Sequence, residues 1–248
     1  MDDTVNFHVC SRVDKGWGVL RRALWPPTCL ACGAPGDDPA DRDLCHRCHA
    51  RLPWQRAACR RCALPLPDAS APGICGACLS RRTPLTEVHA AFAYAAPLDR
   101  LLPMLKFHQS LASARLLSAL MQHAFADIAT DAGTAVLVPI PLHTQRLRQR
   151  GYDQALELAR PLARAFGLPL RSDVLRRTRA TRAQSRLDKT GRARNLRSAF
   201  HVRPHRLPAR VILVDDVMTT GATLESAARA LHAAGVARVD AWVCARVA

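Results

Sequence analysis

Lysine is nearly absent from this chain of 248 residues: Lys15, Lys106 and Lys189 stand against 33 arginines. An excess of arginine also follows the base composition of a genome, so its amount alone assigns nothing. Also missing is any apolar run approaching the roughly 20 residues that cross a bilayer. The opening MDDTVNFHVC is acidic and lacks the basic-then-apolar layout of a secretory signal, which gives the expectation of a cytoplasmic protein without a transmembrane segment. Neither the glycine fingerprint of dinucleotide sites nor the lysine motif of a P-loop occurs, which excludes those two phosphate cradles.

What is present is a net charge of +16 and an apolar share of 49%. The length suits one ordinary domain with a small appendage, and the apolar share supports a real core. The charge favours polyanions as partners: nucleic acid, phosphorylated ligands or an anionic membrane surface. It is densest in residues 171–210, where 12 arginines and Lys189 face only Asp173 and Asp188. That stretch reads either as a solvated basic loop with a short strand at each end, or as a flap over a polyphosphate or nucleic acid. Phe200 is its only aromatic, which argues against base stacking along this particular run. Residues 17–25 (WGVLRRALW) read as an amphipathic helix packed on the protein's own core.

Of ten cysteines, eight form four C-x-x-C pairs: Cys29/Cys32, Cys45/Cys48, Cys59/Cys62 and Cys75/Cys78. The unit C-x2-C-x12-C-x2-C occurs twice, an internal repeat, and each unit supplies the four soft ligands of a tetrahedral structural zinc. A two-residue gap lets one tight turn aim both sulfurs at one ion, and Gly33 and Gly76 sit where such turns want no side chain. A segment this short has too small a core to fold without its metal. Disulfides, redox pairs and an iron–sulfur cluster use the same residue type and stay open at this point. His46 and His49 lie beside ligands as substitutes that a four-cysteine site does not need. Cys10 and Cys244 fall outside the pattern, and Cys244 reads as a buried thiol in a strand.

Past the cysteines, residues 88–94 alternate as a strand. Residues 98–107 and 111–125 carry helical spacing around a turn at 108–110. Lys106 closes the first helix, as a cation favoured by the helix dipole or as a phosphate-facing group. Residues 135–140 (AVLVPI) form the continuous apolar run of a buried parallel strand. The basic loop that follows it, with His143, Arg146, Arg148 and Arg150, suits an anion at a strand's C-terminal edge. Residues 155–166 read as a helix that Pro161 kinks or ends.

The most specific chemistry lies in VILVDDVMTTGATL, residues 211–224. Residues 211–214 are strand, closed by Asp215 and Asp216. Thr219, Thr220, Gly221, Ala222 and Thr223 offer consecutive N–H groups and three hydroxyls. A helix over residues 224–234 adds its positive end. Two adjacent acids cannot both be cheaply buried and want hydroxyl donors or a metal. Phosphate on one side and sugar hydroxyls on the other satisfy both halves. Gly235 ends the helix, and residues 236–243 supply the next strand.

Residues 211–224 resemble the signature of type I phosphoribosyltransferases. More broadly, the cysteine repeat, residues 138–159 (VPIPLHTQRLRQRGYDQALELA), and Arg179, Gln184, Arg192, Asn195 and Phe200 in the basic run resemble the ComF family of competence-associated proteins, from about Cys29 onward. The resemblance implies an α/β fold, a phosphoribosyltransferase-like parallel sheet over 85–248, a double zinc ribbon over 29–82 and a leading segment over 1–28. It implies two structural zinc ions, with Asp215 and Asp216 on the ribose hydroxyls of phosphoribosyl pyrophosphate as the catalytic pair, and residues 219–223 on its 5′-phosphate. His143, Arg146, Arg150, Arg179 and Arg192 become pyrophosphate or flap candidates, with magnesium. Single-stranded DNA and competence-machinery proteins become expected partners. A nucleobase salvage enzyme and a non-catalytic ligand-sensing DNA-binding or adaptor module stay open beside this reading. Asp153 stands where the family usually has asparagine, a carboxylate that would repel pyrophosphate unless it faces away or meets magnesium.

Overall fold

A computed structural model describes residues 28–35, 43–67, 73–178, 199–203 and 207–248. They fall into two compact units that divide after Arg51. Residues 17–25, Cys10, Arg179, Gln184, Arg192 and Asn195 lie outside the described residues.

In the smaller unit, Thr28 and Pro35 close an antiparallel bridge around the first cysteine turn. Gly33 sits in that turn at φ 75°, a conformation L side chains avoid. The second pair opens helix α1 (His46–Ala50).

The larger unit begins with the second quartet. Ala58 and Pro65 repeat the bridge, and the last pair opens α2 (Gly76–Ser80). Gly76 corrects one expectation: it is the first helical residue, with no positive φ and nothing near a hypothetical Cβ. A four-stranded parallel sheet follows, in the order β1 (Val88–Ala93), β6 (Arg238–Arg246), β5 (Arg210–Met218), β2 (Val136–Pro139). Between the strands run α3 (Leu98–Phe107), α4 (Leu111–Thr130), α5 (Thr144–Arg150), α6 (Gln154–Phe166) and α7 (Ala222–Ala233). A separate antiparallel pair, β3 (Leu175–Arg177) with β4 (Phe200–Val202), stands at the two ends of the basic segment.

β5 is buried on both faces from Val211 to Val214, as a central parallel strand requires. It does not stop at the acids, because β6 supplies ladder partners beyond them: Asp215 opposite Val243, Val217 opposite Ala245 and Met218 opposite Arg246. α4 runs on to Thr130, since nothing in residues 126–130 breaks a helix, and Ser110 Oγ caps its start by accepting from Ser113 N–H. α6 passes through Pro161 to Phe166, with Gly167 as its C-cap. An interior proline costs about 3 kcal/mol; Leu158, Ala159, Leu162 and Ala163 bury one stripe around it and outweigh that cost.

The second cysteine quartet is part of the sheet's core. Ala63 is fully buried in the cluster that holds Met218, Leu224, Ala241 and Val243, with Cys62 packed against it. The preceding segment lies along β1: Gln55 N–H donates to Ala91 O, Ala93 N–H to Pro53 O and Val88 N–H to Arg60 O. Trp54 stacks on Phe92 with ring centroids 4.7 Å apart.

Candidate functional site

The cleft lies at the C-terminal ends of β2 and β5, the edge at which open parallel sheets receive ligands. Asp215, Asp216 and Thr223 line it, with Ile140, Pro141 and Leu142 from the loop after β2. Four cations join them: Lys106 from the end of α3, Arg146 and Arg150 one turn apart on α5, and Arg177 from β3.

The acids are strained electrostatically. Asp216 is 3% exposed. Its Oδ1 accepts from Val217 N–H at 2.7 Å, while Oδ2 is buried and accepts no hydrogen bond among the described residues. Lys106 Nζ lies 3.2 Å from that oxygen, as an ionic neighbour off the hydrogen-bonding direction. Burial, then the charge of Asp216, pushes the Asp215 carboxyl well above the usual carboxylate range. The Asp216 N–H, at 2.9 Å, and Lys106 pull against that rise.

Beyond β5, Gly221 turns the chain into α7 at φ 80°. A Cβ there would stand 2.6 Å from Met218 Cε. Thr219 and Thr220 are exposed, Gly221 is buried, and Thr220 Oγ1 accepts from Ala222 N–H at 3.4 Å. Of this turn, Thr223 lines the cleft, while Thr219, Thr220, Gly221 and Ala222 are not among its lining residues.

Two neighbours of the cleft serve the backbone. His143 caps α5, its Nδ1 accepting from Gln145 N–H at 3.3 Å, and it is not among the residues lining the cleft. Asp153 caps α6 through Ala155 N–H and Leu156 N–H, and its second oxygen takes Leu142 N–H at 3.1 Å. Its carboxylate therefore faces amides. Burial pushes this carboxyl up, and the three amides hold it down.

Sequence reasoning missed Arg177 and Gln154. Arg177 is one arginine among many in its stretch; only the pairing of β3 with β4 singles it out, with its guanidinium 5.5 Å from the Phe200 ring centroid. Gln154, 6% exposed, presents a buried Oε1 without a hydrogen-bond partner among the described residues.

The eight paired cysteines gather into two quartets, Cys29, Cys32, Cys45, Cys48 and Cys59, Cys62, Cys75, Cys78, with the sulfurs of each within 4.8 Å of one another. They are sites for structural zinc. Within each quartet the thiols diverge: burial, then the neighbouring sulfurs, drive Cys48 and Cys78 upward, while Cys29 and Cys59, against their burial, are brought down to about 7 by backbone amides. Sequential pairing, first four then last four, is what the fold forms. Cys244 is fully buried in β6.

No helix of the described residues is long and apolar enough to cross a membrane. Residues 20–79 match the double zinc ribbon domain and residues 153–247 the phosphoribosyl transferase domain. The chain is 31% identical to the DNA utilization protein YhgH of Salmonella typhimurium over 82% of its own length and 90% of the relative's. It is 37% identical to competence protein F of Haemophilus influenzae over 44% of this chain and 49% of that one. With competence protein ComFC of Bacillus subtilis it shares 40% identity over 41% of this chain and 40% of the relative.

Proposed function

The chain belongs to the ComF family, which joins a double zinc ribbon to a phosphoribosyltransferase domain, and from that premise we propose that it binds magnesium–phosphoribosyl pyrophosphate in the cleft above β5 and handles single-stranded DNA during DNA uptake or utilization in the cytoplasm. One observation carries the ligand: an acid pair whose buried Asp216 Oδ2 accepts no hydrogen bond among the described residues, set among four cations beside the turn of residues 219–223. Ribose hydroxyls are the donors Asp215 and Asp216 require. The phosphate belongs on residues 219–223, and Arg146, Arg150 and Arg177 offer charge to pyrophosphate. Arg179 and Arg192 would join them from the basic segment. Magnesium, when bound, spreads the pyrophosphate's negative charge. Turnover would break the bond from ribose C1 to pyrophosphate, which leaves with the electron pair, as a nitrogen nucleophile forms the new bond and releases its proton. Lys106 and the three arginines would serve by electrostatic positioning.

Asp215→Asn with Asp216→Asn removes two charge-assisted hydrogen bonds of about 1.5–3 kcal/mol each, so calorimetric affinity for magnesium–phosphoribosyl pyrophosphate falls by at least about 100-fold. Stability moves the other way. A carboxyl whose folded-state pKa is raised costs the fold stability as pH climbs from the ordinary carboxylate value through the raised one. Asp215→Asn alone therefore raises the melting temperature at neutral pH, and this gain shrinks on acidification. A variant that binds like wild type sinks the sugar-phosphate assignment. For the DNA reading, Arg192→Glu with Arg197→Glu lowers oligonucleotide affinity and flattens its salt dependence by about two counterions; an unchanged salt slope removes the basic segment from that role.

A further inference from the structure

A second hollow adjoins the cleft and shares three of its residues, Lys106, Arg146 and Arg150. Its other walls are Phe107, Gln109 and Gln149. Phe107 ends α3 and is 68% exposed, a large apolar ring kept in water. The Arg150 guanidinium stands 5.4 Å from the ring centroid. Gln109 holds φ 51°, rare for a residue with a side chain, and the turn it makes leads out of α3 beside that ring.

These groups form a coherent set. An exposed aromatic face next to an arginine accepts any flat π-system, since every base has a face to stack and guanidinium adds its own attraction. Glutamine amides carry both a donor and an acceptor, which suits the edge of a base. The three shared cations lie where phosphates attached to that base would run. A duplex hides its base faces, so the partner chemistry is an unpaired base.

We propose that the hollow walled by Phe107, Gln109, Gln149 and Arg150 is a stacking subsite for one unpaired nucleobase, with the phosphates of a base that carries them running toward Lys106 and Arg146. The base could arrive free, as an acceptor, or within single-stranded DNA; only the first source rests on the phosphoribosyl reading. The stacking platform therefore lies outside the basic segment of residues 171–210.

Zinc-loaded full-length protein is titrated with fluorescein-labelled oligothymidylate, read by anisotropy, with adenine and AMP as competitors, for wild type, Phe107→Ala and Phe107→Trp. Magnesium–phosphoribosyl pyrophosphate binding is measured beside it by calorimetry. The alanine variant weakens oligonucleotide binding roughly 5- to 100-fold, the loss of one stacked base. Tryptophan restores it, and the melting temperature stays at the wild-type value because the ring is exposed. Competition by adenine identifies a free base as an occupant, competition by AMP but not adenine shows that the attached phosphate is needed, and binding by the oligonucleotide alone identifies the strand. Equal affinities in wild type and Phe107→Ala overturn the subsite even where phosphoribosyl pyrophosphate binds. Phe107-dependent binding without phosphoribosyl pyrophosphate binding upholds the subsite and sinks the sugar-phosphate assignment instead. Wild-type protein that binds neither bases nor oligonucleotide overturns the subsite.

Discussion

Arg246→Ala lowers the melting temperature by about 10 °C and weakens phosphoribosyl pyrophosphate binding about tenfold or more. Arg246 is 7% exposed at the end of β6, opposite Met218 in the ladder. Its Nε donates to Cys62 O at 2.8 Å, and one terminal nitrogen serves Met218 O at 3.3 Å as well as Thr219 O and Val247 O. One side chain thus ties the second cysteine turn to the start of the turn at residues 219–223. Burial, the larger effect, pulls its pKa down, and the nearby sulfurs of Cys62, Cys78 and Cys75 offset part of that. Alanine takes this donor from the part-buried Cys62 O, Thr219 O and Val247 O, while Met218 O keeps Val247 N–H, and a total loss of about 3 kcal/mol corresponds to the stated shift. Lysine keeps the charge but loses the fork, so Arg246→Lys falls between the two. Thermal unfolding and calorimetry decide it; an Arg246→Ala protein that melts and binds as wild type means the bridge contributes nothing.

Cys59→Ser with Cys78→Ser abolishes folding of the larger unit, whereas Cys29→Ser with Cys45→Ser leaves the melting of that unit in place. Structural zinc contributes about 10–16 kcal/mol in small zinc peptides, more than the whole margin of an ordinary domain. The second quartet's surroundings show where that energy goes. Ala63 is core. Arg61 donates to Cys78 O at 3.0 Å. Arg81 reaches both oxygens of Glu225 at 2.8 Å, and Arg229 holds one of them at 2.9 Å, so the residue just past the quartet grips the first turn of α7. The first quartet belongs to the other compact unit. Zinc content per chain, with thermal melts of both variants, tests the difference; equal damage from the two pairs rejects it.

Much of the cleft was legible because its chemistry is local. Asp215, Asp216, Gly221 and Thr223 lie within nine residues, and one strand–turn–helix unit carries them all. The cysteine quartets were legible because two-residue gaps fix geometry by themselves. What escaped depends on tertiary partners. β5 outruns its apolar run because β6 continues beside it. Lys106 meets Asp216 across 110 positions of sequence, and no spacing rule connects them. Gln154 and Arg177 look like their neighbours until the fold turns them inward. His143 sits in a suitable basic loop, but the nearest unsatisfied donor is its own helix's Gln145 N–H.

The sheet order has a consequence for how the molecule is made. β1 and β6 are neighbours although about 150 residues separate them in the chain, and the partner of Val88 is Ala241. During synthesis the second metal knuckle leaves the ribosome long before the strand that completes its surroundings. The knuckle can capture its ion while β1 still waits with a bare edge, and only the emergence of β6 about 150 residues later closes that edge to chaperones, proteases and self-association.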